Sequence, residues 1–293
     1  MHAARRRSGV SVALTGTLGI LAGGGALPLV VAAEAMAAGR SVHILAIDGF
    51  FGDTASAPCP VTPVGLGQVG GILDTIKRQN ITALVIAGHV DRPEIAQLKL
   101  DFGALLALPK LATLMLGGDN HLLTTIIRFF EAKGVAVVGA DEIAPGLLAG
   151  GGQIGRVSPS SENEADLKRG FEIARALGAL DIGQAAVVSK GYTLAVEAAE
   201  GTDALLERVA NLRRPKNRLN GKRRGVLVKR AKPGQDRRVD LPTIGPRTVE
   251  LAAAANLAGI GVHAGHVLLV ERERLVALAD AAGLFVTGVP DAD

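Results

Sequence analysis

Apolar residues recur along this chain in short unbroken runs, TLGILAG, RSVHILAID, ITALVIAGHV and VAVVGA, separated by stretches with a helical repeat. The runs predict strands at residues 17–23, from 40, at 81–90 and at 135–140. Helices are predicted over LPLVVAAEAMAAG, over residues 67–79, and from DNHLL to Gly134. Strands alternating with helices of this length indicate a parallel sheet covered by helices. Such sheets bind ligands beyond the carboxyl ends of their strands, where the strand order reverses. That rule singles out Gly23, Gly24 and Gly25, the segment GHVDRP with His89 and Arg92, and GGDN with Asp119.

The first apolar stretch has a competing reading. Arg5, Arg6 and Arg7 precede it and AEAMA follows, as in a secretory signal. Three glycines and Pro28 interrupt the run, however, and in a helix interior each Gly costs about 1 kcal/mol and Pro about 3 relative to Ala. As strand, turn and helix every residue fits: the glycines turn the chain, Pro28 occupies the first helical turn, and Gly39 closes the helix. Residues 1–15 are then an extension expected to be disordered. A helix start behind a glycine turn favours phosphate. As a dinucleotide fingerprint the loop is incomplete, because Pro28 replaces the third glycine, although Asp48 resembles a ribose-binding acid.

After residue 143 the rhythm changes. The Gly/Pro/Ser-rich interval 144–160 reads as a linker between an N-terminal Rossmann-like domain, 16–143, and a C-terminal domain, 161–293. In the second half SENEADLKRGFEIARALG is a helix, AAVVSKGYTLAVEAAE a hairpin turning near Lys190 and Gly191, and TDALLERVANL a helix capped by Thr202 or Asp203. The strand GVLVKRA, the helix around PRTVELAAAANLAG, a hairpin over GIGVHAGHVLLVERE, and a last helix and strand follow. The fold class is α/β with two domains, one holding a parallel sheet and the other a mixed sheet.

Composition sharpens this picture. With 293 residues, 48% hydrophobic and 3% aromatic, the chain fits aliphatic cores. Its one cysteine, Cys59, excludes an intrachain disulfide and reads as an inert loop thiol. The net charge of +4 is unevenly spread: Arg213 to Arg238 carries twelve lysines and arginines against Asp236 alone, so the remainder is acidic. The concentration points to an anionic partner, or else to a solvated loop. The segment has no aromatic rings to stack bases, so nucleic acid is not expected.

No zinc spacing, HExxH, P-loop or GxSxG occurs, which leaves oxygen ligands and lysines. Glu200 and Asp203 flank a Gly-Thr turn and Asp240 stands before a proline turn; each either caps a helix or binds a ligand. Lys190 and Lys229 either meet phosphate or are solvated. His263 and His266 flank a hairpin glycine and are not expected to be ligands. Carboxylates, lysines and glycine turns suit phosphate anhydride chemistry with Mg²⁺.

GILAGGGALP, AGHVDRP, GGDNHLL, GRVSPS, LDIGQAAVV, AVEAAEGTDALLERV and RVDLPTIGPRTVE, in this order, resemble the LpxI family of UDP-2,3-diacylglucosamine pyrophosphatases of lipid A biosynthesis. The resemblance spans about residues 17–290. It implies two domains holding a lipid-linked UDP-sugar between them, a homodimer, and a place on the anionic cytoplasmic face of the bacterial inner membrane. It further implies Mg²⁺-dependent hydrolysis to lipid X and UMP, with water attacking the α-phosphate. Asp240 matches the family's essential aspartate, as catalytic group and metal ligand, with Glu200 and Asp203 as its expected partners. Lys190 and Lys229 are expected to neutralise the diphosphate. Gly23, Gly24, Gly25, His89, Arg92, Asp119, Gln184, Thr202 and Thr243 complete the expected substrate site. The family's GGDD is GGDN here, so Asn120 supplies no second charge. The alternatives are a nucleotide-sugar or NAD(P)-dependent oxidoreductase, suggested by the glycine turn and Asp48, and a non-enzymatic lipid- or nucleotide-binding module.

Overall fold

The computed structural model describes residues 16–52, 54–90, 101, 119–212 and 223–291, without the side chains of 119–122. The extension 1–15, Arg92, the side chain of Asp119 and most of the basic run before Arg223 lie outside the described residues.

The first sheet is entirely parallel. Its strands β1 (Thr17–Ala22), β2 (Val42–Ile47), β3 (Val61–Val64), β4 (Ile81–Ala87) and β5 (Ala136–Val137) lie in the order β3-β2-β1-β4-β5. The order reverses between β1 and β4, so a crevice opens beyond their carboxyl ends. β2 is buried at all six positions, which is why VHILAI reads as a continuous apolar run. β3 is not among the strands that the apolar runs predict. It contains Pro63, which an edge strand tolerates.

Helix α1 (Leu27–Ala37) follows the glycine turn and buries Val31, Ala32 and Ala35. Gly39, at φ +80°, leads the chain out of it. α2 (Val69–Arg78) buries Ile72 and Ile76, and α3 (Asp119–Glu131) ends just before Gly134. The run predicted as a strand to residue 140 is shorter than expected. It stops at Val137, and Ala140 already begins a helical turn, α4 (Ala140–Ile143), closed by the Glu142 side chain accepting the Gly139 N–H at 2.9 Å.

The second sheet is mixed, in the order β6-β13-β11-β9-β7-β8. Its members are β6 (Gly152–Gln153), β7 (Ala185–Ser189), β8 (Tyr192–Val196), β9 (Val226–Lys229), β11 (Gly259–His263) and β13 (Phe285–Val289). β9, β11 and β13 run parallel, while β6, β7 and β8 each join antiparallel. β6 lies inside the interval read as a linker, which is thus partly woven into this sheet.

Helix α5 (Ser161–Ala179) begins at Ser160, whose hydroxyl accepts the Asn163 N–H while Asn163 Oδ1 accepts the Ser160 N–H. α6 (Gly201–Leu212), α7 (Pro246–Ala254) and α8 (Arg272–Ala281) complete the half. The expected hairpin over GIGVHAGHVLLVERE does not form. β11 is claimed by β9 and β13, whereas β12 (Leu268–Leu269) pairs in parallel with β10 (Thr243–Ile244). That small ribbon reaches the other half: Leu268 is buried in the cluster of β1, β2, β4 and α1, with Leu241 packed against it.

Candidate active site

Between the two halves lies a cleft of about 540 Å³. One wall is the crevice between β1 and β4, with Gly24, Gly25, Gly88 and His89; the other is the segment Arg237–Thr248, with Asp240 and Thr243. The sequence brings these together through strand ends. Gly23 N–H donates to Ala87 O, and Gly24 and His89 exchange backbone hydrogen bonds of 2.8 and 3.0 Å.

This bridge explains the glycines differently from an open ligand loop. A Cβ on Gly24 would stand 2.5 Å from the His89 ring, and one on Gly23 would collide with the His89 carbonyl oxygen. Gly23 and Gly24 are buried and admit the His89 segment, and only Gly25, at φ +90°, is exposed. The start of α1 has no side-chain cap, and Gly25, Ala26 and Leu27 line the cleft there. α7 starts on the opposite wall, with Pro246 in its first turn. Two positive helix ends therefore border one space.

Asp240 is half-buried in this cleft, and its backbone N–H donates to Asp236 O. The other cleft carboxylates are engaged: Glu271 with Arg274 at 3.0 Å and Glu250 with Arg247 at 4.0 Å. Among the described residues the Asp240 carboxylate has neither a hydrogen bond nor an ion pair. The segment that carries it is anchored instead. Arg237 reaches Asp141 at 2.9 Å and Arg238 reaches Glu131 at 2.7 Å, both across to the first half, and Arg238 also grips Asp236. Arg238 holds the Asp236 carboxyl below its usual range.

Behind Thr243 lies a buried polar chain. Lys229, at the end of β9 and 8% exposed, donates from Nζ to Thr202 Oγ1 at 2.8 Å and to the Thr243 carbonyl at 2.9 Å. Thr202 donates in turn to Glu197 Oε1 at 2.5 Å, and Glu197 Oε2 accepts the Gln184 N–H. Burial pushes the Lys229 ammonium below its ordinary value, against the opposing pull of Glu197, Asp203 and Asp240. Lys229 and Thr202 thus sit one layer behind the cleft wall. Thr202 was expected as a helix cap, but α6 already includes it, and its hydroxyl goes to Glu197.

Other expected residues are placed elsewhere. Glu200 is exposed and bound to Arg208 at 2.8 Å; Asp203 is exposed, 3.9 Å from Arg247. Neither is among the residues that line the cleft with Asp240. Lys190 lies at the opposite end of β7 from Gln184, in a turn whose N–H groups at Lys190 and Gly191 both donate to the buried Asp166 carboxylate. Asp48 is exposed at the end of β2 and does not line the cleft. Cys59 is half-buried, and burial pushes its thiol up, as an unreactive cysteine requires. Glu197 escaped the sequence reading. The signal for it was the lysine at the end of an interior strand, which needs a buried counter-charge.

Among the described residues no group of three or more His, Cys, Asp and Glu side chains is placed to hold a metal, and no helix is long and apolar enough to cross a membrane. Comparison with known proteins gives a consistent family. The LpxI N-terminal domain matches residues 17–147 and the LpxI C-terminal domain residues 150–287. The chain is 43% identical over 272 residues, 93% of its length and 97% of the relative's, to UDP-2,3-diacylglucosamine pyrophosphatase LpxI of Caulobacter vibrioides. Among solved structures, Thermus thermophilus UDP-glucose 4-epimerase in complex with NAD aligns over 94% of this chain and 86% of its own, at 17% identity and a TM-score of 0.30. With both domains matched in order and a relative covered almost end to end, the chain belongs to the LpxI family.

Proposed function

We propose that this protein is a hydrolase that splits the diphosphate of UDP-2,3-diacylglucosamine into UMP and 2,3-diacylglucosamine 1-phosphate, a step of lipid A biosynthesis. The observation that carries the reading is a carboxylate, Asp240, with no hydrogen bond or ion pair among the described residues, in a cleft bordered by two helix starts. The helix ends would bind the diphosphate oxygens, and Asp240 would orient water toward phosphorus. Lys229 fixes the Thr243 carbonyl and holds positive charge near Asp240. Family membership favours this hydrolysis over an oxidoreductase or a binding module.

Mg²⁺ is part of the proposal. The donor set fits that ion only in company with substrate, since Mg²⁺ is commonly held by one or two carboxylates, substrate phosphates and water. Asp240 would be its protein ligand; Glu200 is bound to Arg208, and Asp203 lies outside the cleft lining. When bound, the ion would withdraw charge from the phosphoryl oxygens. A homodimer working on the cytoplasmic face of the inner membrane belongs to the same proposal.

The test is hydrolysis of UDP-2,3-diacylglucosamine by purified protein, with Mg²⁺ or EDTA. Asp240→Ala should lose turnover by at least about 10³-fold, the scale of a lost transition-state contact, while retaining its unfolding transition and UMP affinity. Wild-type activity in that variant would remove Asp240 from the mechanism. Hydrolysis in ¹⁸O water reads the point of attack: label in UMP reports the α-phosphorus, and label in the lipid product reports the sugar-bearing phosphorus.

A further inference from the structure

A second cavity, of about 770 Å³, lies on the other side of the Asp240 segment, with Arg237, Asp240 and Leu241 common to both walls. It collects Arg230, His263 and Asp291 from the carboxyl ends of the parallel strands β9, β11 and β13, or just beyond them. That is where ligands of such sheets bind, and the expected hairpin would have placed His263 elsewhere.

Its chemistry is one-sided. Arg175 of α5 makes no ion pair among the described residues, and Lys232 and Arg230 are each held by one aspartate at the rim, Asp181 and Asp291. Among the described residues that line it, the buried donors Arg230 Nε and Gln235 Nε2 make no hydrogen bond. His263 is 3% exposed, with its ring stacked 4.1 Å from His266 and its Nε2 3.2 Å from Asp291. Gln235 is fixed by a Lys-Pro-Gly-Gln turn with Gly234 at φ +74°. Its Oε1 accepts the Lys232 N–H, which leaves Nε2 as a pure donor. A buried donor left unpaired is costly, so the arrangement is poised for an acceptor.

We propose that this cavity is a second anion site, made for the phosphate group of a phosphate monoester, on the loop that carries Asp240. Guanidinium, ammonium and amide donors line it, and the acceptors beside them are Asp240, Asp291 and the imidazole lone pairs. The cavity is larger than phosphate alone, and Ala179, Ala231, Pro233 and Leu241 offer apolar wall to the ester's organic body. A lipid phosphate headgroup and a soluble phosphate ester share this chemistry.

The test does not depend on turnover. Inorganic phosphate is titrated into the full-length protein while the His263 and His266 ring protons are followed by NMR, in wild type, in Arg175→Gln and in Arg230→Gln. Saturable shifts, weakened at least about tenfold in both variants, are expected. Arg175 is exposed on α5, so its variant keeps the test open if Arg230→Gln fails to fold. Co-sedimentation with phosphatidic acid vesicles but not phosphatidylcholine vesicles, lost in Arg175→Gln, would assign the lipid source. Phosphate shifts without vesicle binding would assign the soluble one. Absence of shifts, or shifts unchanged in Arg175→Gln, would overturn the site while leaving the hydrolase reading untouched.

Discussion

Lys229 is the residue on which the C-terminal wall is arranged. Its charge is buried, and Thr202 links it to Glu197, a buried counter-charge. Removing one member of a buried pair is far costlier than removing both. Glu197→Gln should therefore destabilise the fold by about 3–5 kcal/mol, and adding Lys229→Met should recover most of that in urea unfolding while turnover stays low. If Glu197→Gln unfolds like wild type, the chain from Lys229 to Gln184 has no structural weight. At this scale the sequence was half legible. Asp240 stood out by motif, and its position in the cleft follows from the proline turn beside it. Glu200 looked equally good because spacing does not reveal that Arg208, two helical turns on, faces it.

At the scale of elements, the glycine turn after β1 was legible as a turn, but not the reason for its glycines. Three dihedrals in a row needed no explanation beyond φ, yet only Gly25 has a positive one; the other two make room for His89, whose arrival depends on β4 pairing beside β1. Gly24→Ala should push the imidazole aside and lower kcat/KM at least about tenfold, since small misplacements are costly in a catalytic site. Lys190→Ala, at the far end of β7, should leave kcat/KM within about twofold of wild type. Steady-state assays on the two variants separate the two ends of the molecule; a large loss in Lys190→Ala would contradict its placement. The false hairpin at GIGVHAGHVLLVERE has a similar cause. Two apolar runs around a glycine look alike whether they pair with each other or with distant strands, and β11 is an interior strand with neighbours already on both sides.

For the whole molecule, the two sheets were foreseen from the change in rhythm after residue 143, whereas the contacts joining them were not. Those contacts depend on Arg237 and Arg238, which in sequence are the last two charges of a basic run. Asp236 ties Arg238 to the same segment, and its carboxyl is held low. The stabilisation is present above the ordinary carboxylate pKa and is lost as pH falls through the lowered folded value. Acid unfolding should accordingly be shallower in Asp236→Asn than in wild type when midpoints are compared between pH 5 and pH 2. Equal slopes would show that the pair contributes nothing.

The Asp240 segment leaves one sheet, leans on the other through Arg237 and Arg238, and returns to pair beside Leu268, which is itself buried in the first core. A gene cut near residue 150 would thus yield a C-terminal fragment with its acid in place but without the abutment that aims it, and with Leu241 and Leu268 bare to solvent. Such a fragment should be sticky and inert by itself, and regain turnover only when the N-terminal fragment is supplied in trans.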